Sequence, residues 1–191
     1  MSNADKIHLQ QDFLRAHLEK PIIIVGLMGA GKTSVGKALA ESMEYDFVDS
    51  DDVIVERAGM SISDIFATHG EPHFRALERD VLSDLMQDQQ PHVIGTGGGA
   101  FMNDKTREVI KTAGISIFLK ADLEVLLERV GTGEGRPLLE AGNPREILAG
   151  LIERRYPVYA EADLTVATKT EPMEETLKRV TQALYNHIQP A

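Results

Sequence analysis

Gly26, Gly31, Lys32 and Thr33 satisfy every fixed position of the pattern G-x-x-x-x-G-K-[ST]. Glycines let such a loop turn tightly and leave no Cβ between its main-chain N–H groups and phosphate oxygens. The lysine reaches the outer phosphates of a nucleoside triphosphate, and the Thr33 hydroxyl is placed to ligate Mg²⁺. Gly29, Ala30, Gly31, Lys32, Thr33 and Ser34 are therefore the candidate triphosphate contacts. A second chemical signal is the acidic run Asp49-Ser50-Asp51. Two carboxylates beside a triphosphate divide labour: Asp49 suits Mg²⁺ through its water shell, and Asp51 suits an acceptor hydroxyl.

These residues need elements to position them. Pro21 to Val25 is an apolar, β-branched run with the character of a buried parallel strand, and Ser34 to Met43 has helical spacing of Val35, Ala38, Leu39 and Met43. Further strands are predicted over 45–49, 92–96, 115–119 and 164–167. Helices are predicted over 53–58, from Ser61, over 72–86 and 104–112, after a cap at Asp122, from Asn143 to about Arg155 before Pro157, and over 172–188. Strands alternating with helices imply a parallel sheet covered on both faces, with ligands at the carboxyl ends of its strands. The phosphate loop, Asp49-Ser50-Asp51 and Gly97-Gly98-Gly99 all fall at such ends. Residues 1–20 form an extension whose Ile7, Phe13, Leu14 and Leu18 stripe a short helix; residues 21–191 read as one domain, with a glycine-rich lid over about 130–143.

The chain has 191 residues, 42% of them apolar and 26% charged, as in an ordinary globular protein. A net charge of −10 argues against a nucleic-acid partner and makes each arginine near the loop worth attention. Cysteine is absent, which excludes a disulfide framework, and no run is long and apolar enough for a membrane span. The first twenty residues carry Asp5, Asp12 and Glu19 and lack a signal-peptide core, so the cytoplasm is the expected compartment. The base-reading N-K-x-D element of guanine switch proteins is missing. His69 and His73 are four apart, but Gly70 and Pro72 between them argue for polar surface rather than a metal pair.

The motifs Gly26–Thr33, Asp49-Ser50-Asp51, Phe74-Arg75 with Glu78, Gly97-Gly98-Gly99, Arg136-Pro137-Leu138-Leu139 and Arg155-Tyr156-Pro157 occur together in this order. In this the chain resembles the shikimate kinase family of P-loop small-molecule kinases. The resemblance implies a three-layer αβα sandwich with a five-stranded parallel sheet of order 2-3-1-4-5, acting as a monomer on ATP, Mg²⁺ and shikimate. It implies that Asp51, Arg75, Gly97, Gly98, Gly99 and Arg155 hold shikimate, that Lys32, Asp51 and Arg136 are catalytic, and that Arg129, Arg136 and Pro172 complete the ATP site. Residue chemistry agrees, since two guanidinium groups grip a carboxylate by charge-assisted hydrogen bonds. Glu78, three residues after Arg75, is expected to fix that guanidinium. Gluconate kinase is the nearest enzymatic alternative, and a non-catalytic nucleotide-dependent regulator is the alternative of another class. The leader of twenty residues reads as additional to the family pattern.

Overall fold

Ile22–Val25 (β1) is buried at all four residues and sits in the middle of the sheet, which explains its unbroken β-branched sequence. This computed structural model describes residues 3–87, 91–131 and 142–189. The other strands are Phe47–Asp49 (β2), Val93–Gly95 (β3), Ile115–Ala121 (β4) and Leu164–Thr168 (β5). They pair in parallel in the order β2-β3-β1-β4-β5, as expected.

The helices are Asn3–His17 (α1), Lys32–Met43 (α2), Ser50–Ala58 (α3), Ile62–Leu85 (α4), Asp104–Ala113 (α5), Leu123–Val130 (α6), Pro144–Tyr159 (α7) and Met173–Ile188 (α8), with a 3-10 turn at Ala100–Met102. α1, α2 and α8 pack together, while α4, α5 and α7 meet at the 3-10 turn, so helices lie on both faces of the sheet. Along α1, Leu14 is fully buried, as is Leu18 just beyond it. Gln10 Nε2 donates to Gln182 Oε1 at 2.8 Å, and the Phe13 ring meets Tyr185 edge-on at 5.1 Å.

Several helices differ from expectation in ways that matter to the site. α2 begins at Lys32 and α3 at Ser50, each earlier than apolar spacing alone indicates. Asp49 is the N-cap of α3, its Oδ1 accepting from the Asp51 N–H at 3.0 Å, so Asp51 stands in the first helical turn. α4 consists of two halves joined at Gly70, whose φ of 78° and ψ of 171° break the helical path. Pro72 then falls in the first turn of the second half, where its missing N–H costs nothing. α7 does not stop before Pro157 but continues to Tyr159. That proline deprives only the Glu153 carbonyl of its helical donor, a loss tolerated at an exposed position near a helix end. Asp122 occupies the N-cap position of α6 without making a side-chain capping bond.

The packing divides in two. A large core surrounds β1 and β4, and a smaller one gathers Ile54, Ile65, Phe74 and Val81 from α3 and α4.

Candidate active site

The phosphate loop joins β1 to α2. Gly29 and Gly31 take φ values of 79° and 94°, which strain any other residue. A Cβ on Gly29 would come within 2.9 Å of Val130 Cγ1. Gly31 is the N-cap of α2 and offers no side-chain cap, so the first-turn N–H groups await an anion. Lys32 Nζ donates to the carbonyls of Gly26 (3.0 Å) and Leu27 (3.1 Å), holding its charge over the loop. Thr33 and Ser34 are exposed at the mouth. These are the features a triphosphate with Mg²⁺ requires. Asp49 caps α3 through Oδ1, which accepts from the Asp51 N–H.

Arg129 makes contacts that sequence did not anticipate. Its guanidinium donates to Thr168 Oγ1 (2.9 Å), to Ala30 O (3.3 Å), to Gly29 O (3.4 Å) and to Lys169 O, tying the phosphate loop to the end of β5. It also lines a cavity of about 230 Å³ with Gly31, Ser34, Thr168, Glu171 and Met173. Pro172 stands between the last two, at the N-cap position of α8.

The acceptor side is assembled from four distant segments. Asp51 comes from α3, Arg75 from α4, the glycine triplet from the loop after β3, and Arg155 from α7. Each glycine leaves room for one of these side chains. A Cβ on Gly97 would lie 2.8 Å from Asp51 Oδ1; on Gly98, 3.4 Å from Arg155 Nη1; on Gly99, 2.5 Å from Arg75 Nη2. Arg75, Gly99 and Arg155 line a cavity of about 900 Å³ whose wall also carries Arg79, Lys105 and Arg154. Asp51 lies outside that lining, against Gly97.

The electrostatics of this side follow from burial. Arg75 Nη1 donates to Glu78 Oε2 at 2.7 Å, and the guanidinium also reaches Glu71 Oε1 at 3.3 Å. Glu78 is only 1% exposed, so it anchors the arginine from below, as its spacing suggested. Asp51 Oδ1 is buried and has no hydrogen-bond partner among the described residues. Burial raises the Asp51 pKa above the ordinary carboxylate range, and the nearby Asp49 charge raises it further. The positive charges of Lys32 and Arg75 oppose the shift, so both cations act on this carboxylate. Arg155 Nη1 donates to Gly98 O at 2.9 Å, and the Tyr159 hydroxyl donates to the same oxygen. Tyr159 went unnoticed in the sequence; four-residue spacing from Arg155 was the available signal, masked by Pro157 between them.

Arg136 and most of the predicted lid fall outside the described residues. The exposed His69 and His73 rings lie 4.7 Å apart, and among the described residues no group of three or more metal-ligating side chains occurs. No described helix is long and apolar enough to cross a membrane.

A lysine-bearing phosphate loop at the carboxyl end of β1, its charge acting on a buried carboxylate, marks the class of P-loop kinases. The family model described as shikimate kinase matches residues 28–185. The shikimate kinase of Paramagnetospirillum magneticum is 48% identical over 185 residues, covering 97% of this chain and 94% of that protein. Among solved structures, shikimate kinase from Acinetobacter baumannii in complex with shikimate superposes with a TM-score of 0.82 at 35% identity, covering 92% of this chain and 97% of that one. The chain belongs to the shikimate kinase family. A gluconokinase from Sinorhizobium meliloti shares the fold, at 20% identity and a TM-score of 0.57 over 90% of this chain and 95% of that one. The family model starts at residue 28 and leaves the first twenty residues outside it, while the alignment with the P. magneticum enzyme, over 185 of 191 residues, takes in most of them.

Proposed function

We propose that this protein transfers the γ-phosphoryl group of ATP to the 3-hydroxyl of shikimate, yielding shikimate 3-phosphate for aromatic amino-acid biosynthesis. Family membership supports the reaction, and the observation that carries the residue roles is the buried, partnerless Asp51 Oδ1 flanked by Gly97 and acted on by Lys32 and Arg75. Arg75 and Arg155 grip the shikimate carboxylate while Gly97, Gly98 and Gly99 let the ring approach the main chain. Asp51 orients the 3-hydroxyl and accepts its proton late, as the new O–P bond forms and the bond to the departing ADP breaks. Because phosphoryl transfer has a loose transition state, positioning and charge matter more than basicity.

Gly29, Ala30, Gly31 and Ser34 offer main-chain donors to the phosphates, and Lys32 neutralises their charge. Thr33 and Asp49 would hold Mg²⁺, which would further neutralise the triphosphate. Arg136 adds a cation from the lid, and Arg129 with Pro172 borders the adenine. The phosphate loop, Asp51, Arg75 and the Gly98–Arg155 pair meet within a single chain, and a monomer is the working unit this reading takes. The cytoplasm, where ATP and Mg²⁺ are plentiful, is the compartment this chemistry suits.

A coupled ADP-release assay with shikimate, with gluconate and with no acceptor tests the reading. ADP release that needs shikimate is the expected outcome. Preference for gluconate would move the chain to the neighbouring activity, and acceptor-independent release would point to an ATPase or regulator.

A further inference from the structure

We infer that Tyr159 is a positioning residue for the acceptor site: with Arg155 it holds the Gly98 carbonyl and thereby aims the Gly99 N–H into the cleft. Residues 155 and 159 stand one turn apart on α7 and share a face. Both donate to the same oxygen, filling the two lone pairs of the Gly98 carbonyl. The Tyr159 side chain has no freedom to leave. It is fully buried, with its ring centroid 5.2 Å from that of Phe118, 6.4 Å from Tyr156 and 6.5 Å from Phe101. Burial also raises the pKa of its hydroxyl, which therefore remains a protonated donor at neutral pH.

The consequence passes through the peptide plane. Among the described residues no peptide bond is cis, so the Gly99 N–H points opposite to the Gly98 carbonyl with which it shares a plane, away from α7. That N–H finds no acceptor among the described residues. Gly99 itself lines the cavity, together with Arg75 and Arg155. Fixing one carbonyl thus orients the Gly99 N–H and the Arg155 guanidinium together. It also explains why α7 runs through Pro157: the added turn delivers Tyr159.

The inference rests on the shikimate reading of the cleft for its kinetic consequence, but not for its geometry. Tyr159→Phe keeps the ring and removes only the hydroxyl. In unliganded, ¹⁵N-labelled protein the Gly98 and Gly99 amide resonances are expected to shift while those of Gly29 and Gly31 stay. In steady state the shikimate KM rises about tenfold, the worth of about one hydrogen bond, while kcat falls by less and the ATP KM holds. A merely structural role would lower thermal stability without this split. Unmoved Gly98 and Gly99 resonances overturn the proposal, as does an unchanged shikimate KM in a protein that phosphorylates shikimate. A wild-type protein inert toward shikimate overturns the functional reading instead, and the amide shifts still decide this one. Should Tyr159→Phe fail to fold, 3-fluorotyrosine at position 159 tests the same bond: its more acidic hydroxyl must move the Gly99 amide, and no movement refutes the assignment.

Discussion

The two halves of the active site are built on opposite plans. The phosphate half is one continuous segment, β1 through the start of α2, and most of what it offers is main chain. The acceptor half is gathered from α3, α4, the loop after β3 and α7, and what it offers is mainly side chains, Arg75 anchored by Glu78 and Arg155 by the Gly98 carbonyl. A continuous main-chain cradle depends on local backbone conformation. A gathered pocket depends on the whole sheet bringing its parts together. The first tolerates little change in its glycines because φ is positive; the second because its glycines border charged groups.

The largest effect should come at the one acceptor residue given a chemical role. Asp51→Asn is predicted to lower kcat by about 100-fold or more while ATP binding, followed by titration, remains. Near-normal turnover would remove Asp51 from the mechanism and leave the acceptor half a passive holder.

Matched glycine substitutions sharpen the comparison. Gly99→Ala forces a Cβ against Arg75, whose guanidinium is fixed by buried Glu78 and cannot easily withdraw. The shikimate KM should rise about tenfold or more, with the ATP KM little changed. Gly31→Ala, at φ 94°, should do the reverse and weaken ATP. Both substitutions raising both constants equally would mean that the halves are not separate.

The smallest effect is a displacement on the pH axis. Asp51 must be ionised to accept a proton, and its pKa is raised, by burial first and by Asp49 second. The acid limb of kcat/KM should therefore lie above the ordinary aspartate range. Asp49→Asn removes a charge that raises this pKa, so the limb should move to lower pH, even as the plateau falls with loss of the proposed metal contact. A limb that stays in place would show that the two carboxylates do not interact across the halves.

Legibility followed the same division. Lys32, Thr33 and the order of strands were readable because a glycine loop between an apolar strand and a helix carries its own context in consecutive residues. Asp51, Arg75 and Arg155 are 24 and 80 positions apart. Asp51 stood out by its place after a strand, but no spacing rule joins it to the arginines, and only resemblance to a known family singled out Arg75 and Arg155. The Arg129 tether was hidden because its acceptors are mostly loop carbonyls, which any residue type supplies. Tyr159 was hidden by a sound rule about proline that tertiary packing overrode.

The smaller core of Ile54, Ile65, Phe74 and Val81 has a dynamic consequence. It gives α3 and α4 an apolar anchor of their own, distinct from the cluster around the central strands. A segment secured by so few contacts opens to solvent at a lower free energy than the sheet, so its amides should exchange with deuterium well before those of Ile23 and Ile24. Asp51 and Arg75 would then ride on a segment less protected than the sheet, and an occupied cleft should slow its exchange.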